Sequence, residues 1–197
     1  MKDKKPILYA ILKPIVMVLV KVLYRPTYIN AQYIPTSGPI IISGNHIHAF
    51  DAILTALVTK RVVYFLAKGE LFKWPLSWIL NGVGAIPVDR TKRDKSATDK
   101  AQEYLNEGKA LSILPEGTRN RTKELLLPFK YGAVSLAQKT GALIVPFAIV
   151  GRYKLFRKSV TVVFEKPFKV KDTMELEEAN QKLRTIIKNI LESGSKK

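Results

Sequence analysis

The stretch Pro39-Ile40-Ile41-Ile42-Ser43-Gly44-Asn45-His46-Ile47-His48-Ala49-Phe50-Asp51-Ala52-Ile53-Leu54-Thr55-Ala56-Leu57 sets the reading of the whole chain. An apolar, β-branched run leads into a polar loop, and the loop into a segment with helical apolar spacing. That order is strand, loop, helix. The loop carries His46 and His48, the only histidines in 197 residues. A histidine at such a junction, with a carboxylate about one helical turn further on, reads as an acid–base pair. Imidazole is the side chain best placed to move protons near neutral pH. Asp51 would accept the ring N–H that His46 does not use and so fix its tautomer. Two blander readings stand beside this one. Asp51 could serve only as a helix cap or dipole partner, and His46 could be structural. A metal site is a third reading, since His46 and His48 alternate. Zinc wants three or four protein ligands, however, and without cysteine or a third histidine carboxylates would have to supply the rest.

Outward from this stretch the chain keeps alternating. Pro39–Ser43, Val62–Ala67, Gly84–Val88, Ala110–Leu114 and Leu143–Val150 read as short buried strands, and Val160–Glu165 as a late one. Ala52–Lys60, Glu70–Leu80, Lys95–Asn106, Tyr131–Lys139 and Leu176–Glu192 read as helices. The expected fold class is α/β, a mainly parallel central sheet flanked by helices on both faces. Ligands of such sheets gather at the carboxyl ends of strands. The charged candidates sit there. His46 and Asp51 follow the first core strand, Lys68 the second, Arg90 the third, and Glu116 and Arg119 the fourth. Three cations converging on one crevice would suit a phosphate group. Taken singly, Lys68 and Arg90 also read as solvated charges, and Pro115-Glu116-Gly117 as a plain turn.

Thirty-three Lys and Arg face 16 Asp and Glu, a net charge of +17. Such a surplus points to an anionic partner. Nucleic acid is not the expected one, because no RNP-like run, zinc-finger spacing or recognition helix is present. The absence of cysteine excludes disulfides and thiol catalysis in this chain. The N-terminus favours a lipid surface. Pro6 to Tyr24 is almost wholly apolar, preceded by Lys2, Lys4 and Lys5. It differs from a signal peptide because Lys21 interrupts it and no small-x-small site follows. As a helix it would reach about 28 Å, close to the hydrocarbon thickness. Its eleven Ile, Leu and Val contribute about −3 to −6 kcal/mol to insertion, against about +2.5 to +3.5 for Lys13. The helical wheel separates Ile7, Leu8, Ile11, Leu12, Ile15, Val18, Leu19, Val22 and Leu23 from Tyr9, Lys13, Met17, Lys21 and Tyr24. The expectation is a helix lying in the interface, apolar face down and lysines toward headgroups, with Pro14 as a possible kink. The other reading packs the apolar stripe on the protein's own core. Residues 1–26 are therefore read as a membrane-associating helix and 27–197 as the α/β domain.

Four blocks resemble the glycerolipid acyltransferases, most closely the 1-acylglycerol-3-phosphate (lysophosphatidate) acyltransferases. Asn45-His46-Ile47-His48-Ala49-Phe50-Asp51 is similar to the family's Asn-His-x4-Asp block. Gly84-Ala85-Ile86-Pro87-Val88-Asp89-Arg90 is similar to Gly-x5-Arg. Leu114-Pro115-Glu116-Gly117-Thr118-Arg119 is similar to Phe-Pro-Glu-Gly-Thr-Arg, with Leu in place of Phe. Ile144-Val145-Pro146-Phe147-Ala148-Ile149 is similar to an apolar block around proline. The resemblance covers about residues 27–150. It implies that His46 is the general base toward the acceptor hydroxyl and that Asp51 orients it. It also implies that Asn45, Lys68, Arg90, Glu116, Gly117, Thr118 and Arg119 bind or shape the substrate site. A backbone N–H would stabilise the oxyanion. The implied reaction moves an acyl group from acyl coenzyme A or acyl-acyl carrier protein to lysophosphatidate, giving phosphatidate in phospholipid biosynthesis. No metal or other cofactor is expected. The implied place is the cytoplasmic face of the cell membrane, with the protein peripheral or monotopic on anionic lipid. Another lysophospholipid, glycerol 3-phosphate or an aminolipid remains open as acceptor. A membrane-surface hydrolase or phosphatase using the same histidine is the rival enzyme.

Overall fold

In the computed structural model, residues 6–89, 91 and 94–194 are described. The chain runs α1 (Ile7–Tyr24), β1 (Thr27–Ile29), β2 (Ile40–Gly44), α2 (Asp51–Val58), β3 (Val63–Lys68), α3 (Leu76–Gly82), β4 (Ile86–Val88) and α4 (Lys95–Asn106). It continues with β5 (Ala110–Ser112), α5 (Gly132–Thr140), β6 (Leu143–Gly151), β7 (Val160–Phe164), β8 (Phe168–Lys169) and α6 (Leu176–Gly194). The strands form one sheet in the order β1-β7-β6-β2-β5-β3-β4, with β8 also paired to β6. From β6 to β4 every neighbouring pair is parallel, whereas β7 and β8 run antiparallel to β6. The expected α/β class is the observed one, and the carboxyl ends of β6, β2, β5, β3 and β4 share one edge.

The two faces of the sheet follow from the pleat. Ile41, Leu111 and Ile144 turn toward Ala101 and Leu105 of α4, Val134 of α5 and Leu183 and Ile187 of α6. Ile40, Ile42, Val145 and Phe147 turn toward Leu54 of α2 and Val20 of α1. Covering on both faces is why β2 reads as an unbroken apolar run. Gly44 ends it for a steric reason. A Cβ there would stand 2.4 Å from the carbonyl oxygen of Phe147 on β6, so only glycine lets these strands pair up to the site.

Helix α4 has the limits its spacing gives, and Asp94 caps it by accepting from Ala97 N at 3.0 Å. The expected helix Glu70–Leu80 is shorter and later. Its first part forms a 3-10 turn over Gly69–Leu71, and α3 begins only at Leu76. The reason is Pro75, which fits at the start of a helix but not in its interior. Strands β1 and β8, only three and two residues long, are too short to show a pattern in the sequence.

Helix α1 forms as expected and runs through Pro14, but Lys13 does not stand where expected. Tyr9 is buried, donates to Arg61 O at 3.4 Å and accepts from Val63 N at 3.2 Å. Lys13 Nζ donates to the carbonyls of Thr59 at 2.6 Å and Arg61 at 3.3 Å. Lys13 therefore points into the domain rather than toward headgroups, while Lys21 stays exposed. The carbonyl of Thr59, the C-cap of α2, and that of Arg61 in the turn before β3 accept the ammonium. Ile7, Ile11, Ile15, Val18, Leu19 and Val22 face outward, while Leu8, Leu12 and Leu23 of the same stripe are half-buried, so most of the stripe stays off the protein's own core. Apart from Ile29, Leu125 and Tyr131, every large exposed apolar side chain among the described residues lies on α1, within 71–79 or at 155–156. These segments adjoin. Gly82 of α3 packs under Leu8, and Phe156 N donates to Leu23 O at 2.5 Å.

Candidate active site

His46 stands two residues beyond β2, and Asp51 opens α2. The His46 ring is buried, with Nδ1 2.8 Å from Asp51 Oδ2. The same oxygen accepts the backbone N–H of Ile47 at 2.7 Å and of His48 at 2.8 Å. Oδ1 accepts from the Tyr153 hydroxyl at 2.7 Å. The carboxylate has no exposed surface, and four donors replace the water it has lost. With Nδ1 committed to Asp51, Nε2 is the ring nitrogen left for chemistry.

The main chain of His46 is held as firmly as its ring. Its N–H donates to Glu116 Oε1 at 2.7 Å, and its C=O accepts from Asn120 N at 2.6 Å. Glu116 Oε2 accepts from Leu127 N at 2.9 Å. The segment after β5 thus clasps the loop after β2. Burial raises the Glu116 pKa, opposed by the hydrogen bonds from Leu127 and His46. Gly117 turns that segment at φ +68°, and the stem of Lys130 lies directly over it. Asn45 is buried and braces the other side. Its Nδ2 donates to Ile149 O at 3.1 Å, and its Oδ1 accepts from Ile149 N at 2.7 Å. Asn45 and Glu116 therefore spend their polar atoms on backbone.

His46 opens onto a cavity of about 270 Å³ at the carboxyl edge, between the sheet and the first turns of α4 and α5. Its wall is mainly apolar, with Leu66, Val88, Ala97, Ile113 and Ala133 among its residues. Lys130 and Ser112 also line it, and the buried Ser112 Oγ has no hydrogen-bond partner. Neither residue was singled out in the sequence. Pro128-Phe129-Lys130 looks like an ordinary loop end, and it is Lys130 N, donating to Pro115 O at 2.8 Å, that ties the lysine to the cavity's rim.

Arg119 and Thr118 are exposed at the same edge, and Arg119 is close enough to His48 to help lower its pKa. Burial is the main cause of that lowering, with Asp51 opposing it. His48 Nδ1 accepts weakly from Phe50 N at 3.4 Å. Among the described residues no cluster of three His, Asp or Glu side chains is placed to hold a metal ion. Lys68, the last residue of β3, pairs with Glu70 at 2.5 Å and lines a neighbouring depression with Asp89 and Thr91. Arg90 lies outside the described residues. Asp94, the cap of α4, accepts from Asp89 N at 2.9 Å and anchors the segment that leads to it.

The acyltransferase family model matches residues 25–150, which contain β2, the His46–Asp51 pair and the Glu116 clasp. The chain belongs to the acyltransferase family. A Borreliella burgdorferi protein named 1-acyl-sn-glycerol-3-phosphate acyltransferase is 34% identical over 134 residues, covering 66% of this chain and 53% of that protein. A Bacillus subtilis protein of the same name is 32% identical over 125 residues, covering 62% of this chain and 61% of that protein. The chain spans about half to three-fifths of the length of these two relatives. The crystal structure of the 1-acyl-sn-glycerophosphate (LPA) acyltransferase PlsC from Thermotoga maritima superposes with a TM-score of 0.73. That match covers 98% of this chain and 83% of the other at 23% identity, so it speaks for the fold.

In this acyltransferase the Glu116 clasp can be tested by one atom. Glu116→Gln keeps the shape but gives one acceptor oxygen where two N–H groups need acceptors. The expected cost is about 1–3 kcal/mol in urea unfolding. A ten- to hundredfold loss of turnover should accompany it if the His46 ring carries chemistry, because a small displacement of a reacting group is costly to rate. Unchanged stability and turnover would show that the clasp does not hold His46.

Proposed function

We propose that this chain transfers a fatty acyl group from an acyl thioester to the free hydroxyl of lysophosphatidate. The observation that carries the reading is His46, bonded to Asp51 through Nδ1 and facing a mostly apolar cavity at the carboxyl edge. Family membership and the names of the two relatives support the same reaction. The acceptor oxygen attacks the thioester carbonyl while His46 Nε2 takes its proton. The tetrahedral intermediate then collapses, expelling the thiolate of coenzyme A or acyl carrier protein, and the imidazolium returns the proton to sulfur. Asp51 holds the ring and stabilises its charged form. Arg119, with Lys68 and Arg90, would receive the acceptor's phosphate, since a guanidinium meets it in a bidentate manner. Gly117 lets the loop turn tightly enough to present Thr118 and Arg119.

The membrane is the proposed source of the acceptor. Residues 1–26 would lie on the cytoplasmic leaflet with the outer face of α1 in lipid, and 27–197 would form the catalytic domain. The outward apolar stripe and the +17 charge support this placement.

Two experiments check the proposal. Without cysteine in the chain, a thiol reagent reports only released carrier thiol. His46→Ala should lower acyl transfer by about 10²–10⁴-fold. Arg119→Ala should lower kcat/KM for lysophosphatidate about ten- to a hundredfold and leave background thioester hydrolysis unchanged. Equal losses in both reactions would remove Arg119 from the acceptor site. For the membrane, Ile15→Asp with Val18→Asp should weaken binding to phosphatidylglycerol vesicles at least about tenfold, since each buried side chain is worth about 1.5–3 kcal/mol. Unchanged vesicle binding would place the contact away from α1.

A further inference from the structure

Three of the four donors to Asp51 lie within the same short loop: the His46 ring and the N–H groups of Ile47 and His48. The fourth comes from 102 residues away. Tyr153 lies just past β6, outside residues 25–150 that match the family. Its neighbours Arg152, Lys154, Leu155, Phe156, Arg157 and Lys158 are exposed, yet its own ring turns inward. The ring stacks on His48 with centroids 4.3 Å apart and planes at 27°. Tyr24, the last residue of α1, stands edge-on to it at 5.3 Å and also meets Phe50 at 5.9 Å. Burial first, and the Asp51 charge second, push the Tyr153 hydroxyl far above its ordinary pKa, so it remains a donor.

The need for this donor follows from the other three. All of them meet Oδ2 and, among the described residues, leave Oδ1 with no other donor in a site closed to water. A buried carboxylate oxygen without a donor is costly, and the group would relieve the cost by rotating or by admitting water. Either response moves Oδ2 away from His46 Nδ1. We propose that Tyr153 is a positioning residue for the acyl transfer, its hydroxyl locking the second oxygen of Asp51 so that the His46 ring keeps one orientation. The assignment rests on the acyl-transfer reading. Helix α1 takes part, because Tyr24 closes the aromatic cage around the Tyr153 ring.

The test is Tyr153→Phe, which keeps the ring and its stacking and removes one oxygen. Thiol release with acyl thioester and lysophosphatidate should show kcat lowered about tenfold, with KM for both substrates held within about twofold. A second readout needs no substrate. With only two histidines, a ¹H–¹⁵N spectrum of the imidazoles holds two residues, and His48→Gln identifies the His46 Nδ1–H signal. That signal should move or broaden in Tyr153→Phe, while the thermal melt stays cooperative. An unchanged His46 signal overturns the proposal, and so does a rate loss carried entirely by KM. If the wild type transfers no acyl group, the reading of the reaction fails, and the Nδ1–H signal still decides whether Tyr153 positions the pair.

Discussion

A carboxylate with no exposed surface stands at the start of α2, and the site is arranged to meet its oxygens and hold it still. Burying an ion is affordable only when its lone pairs are met. Asp51 meets this condition with a ring N–H, two backbone N–H groups and a phenol. Each donor fixes a different part of the molecule. The backbone pair curls the loop after β2, the imidazole is turned with Nε2 toward the cavity, and the phenol draws the β6–β7 loop inward. The helix dipole adds to this, because Asp51 lies in the first turn of α2.

A second layer of bonds keeps His46 in place through its main chain. Glu116 and Asn120 take its N–H and C=O, and Asn45 ties the same loop to β6. The two sequence blocks around His46 and Glu116 are thus joined by hydrogen bonds across parallel strands β2 and β5. Gly44 permits the close pairing of β2 with β6 that Asn45 then locks. His46 is held by bonds from the neighbouring segments, while Lys68 and Arg119, proposed to meet a phosphate, are exposed at the rim. Such a division suits an enzyme that must hold the reacting atoms tightly and accept a headgroup from a lipid surface.

Much of this was legible in the sequence. The strand–loop–helix around His46 follows from a β-branched run, and α4 from its spacing and its Asp94 cap. The placement of His46, Lys68, Glu116 and Arg119 after successive strands follows from βα order alone. What could not be read depended on partners far away in the chain. Asn45 and Glu116 look like substrate ligands until Ile149 and Leu127 are brought to them. Lys13 looks like a headgroup-seeking lysine until the carbonyls of Thr59 and Arg61, in the turn between α2 and β3, are brought beneath it. Tyr153 sits among exposed cations, and no local pattern distinguishes it. Helix α3 was misplaced because apolar spacing outweighed Pro75 in the reading, whereas the backbone cannot ignore that residue.

The central claim is that His46 acts as a base and that the acceptor oxygen itself attacks the thioester. Both substrates must then be bound together before the thiol leaves. Initial-velocity measurements, varying acyl thioester at several fixed concentrations of lysophosphatidate, test this directly. The claim requires double-reciprocal lines that intersect to the left of the velocity axis. Parallel lines, with thiol released in a burst before any acceptor is added, would mean a covalent acyl-enzyme. They would contradict the role assigned to His46.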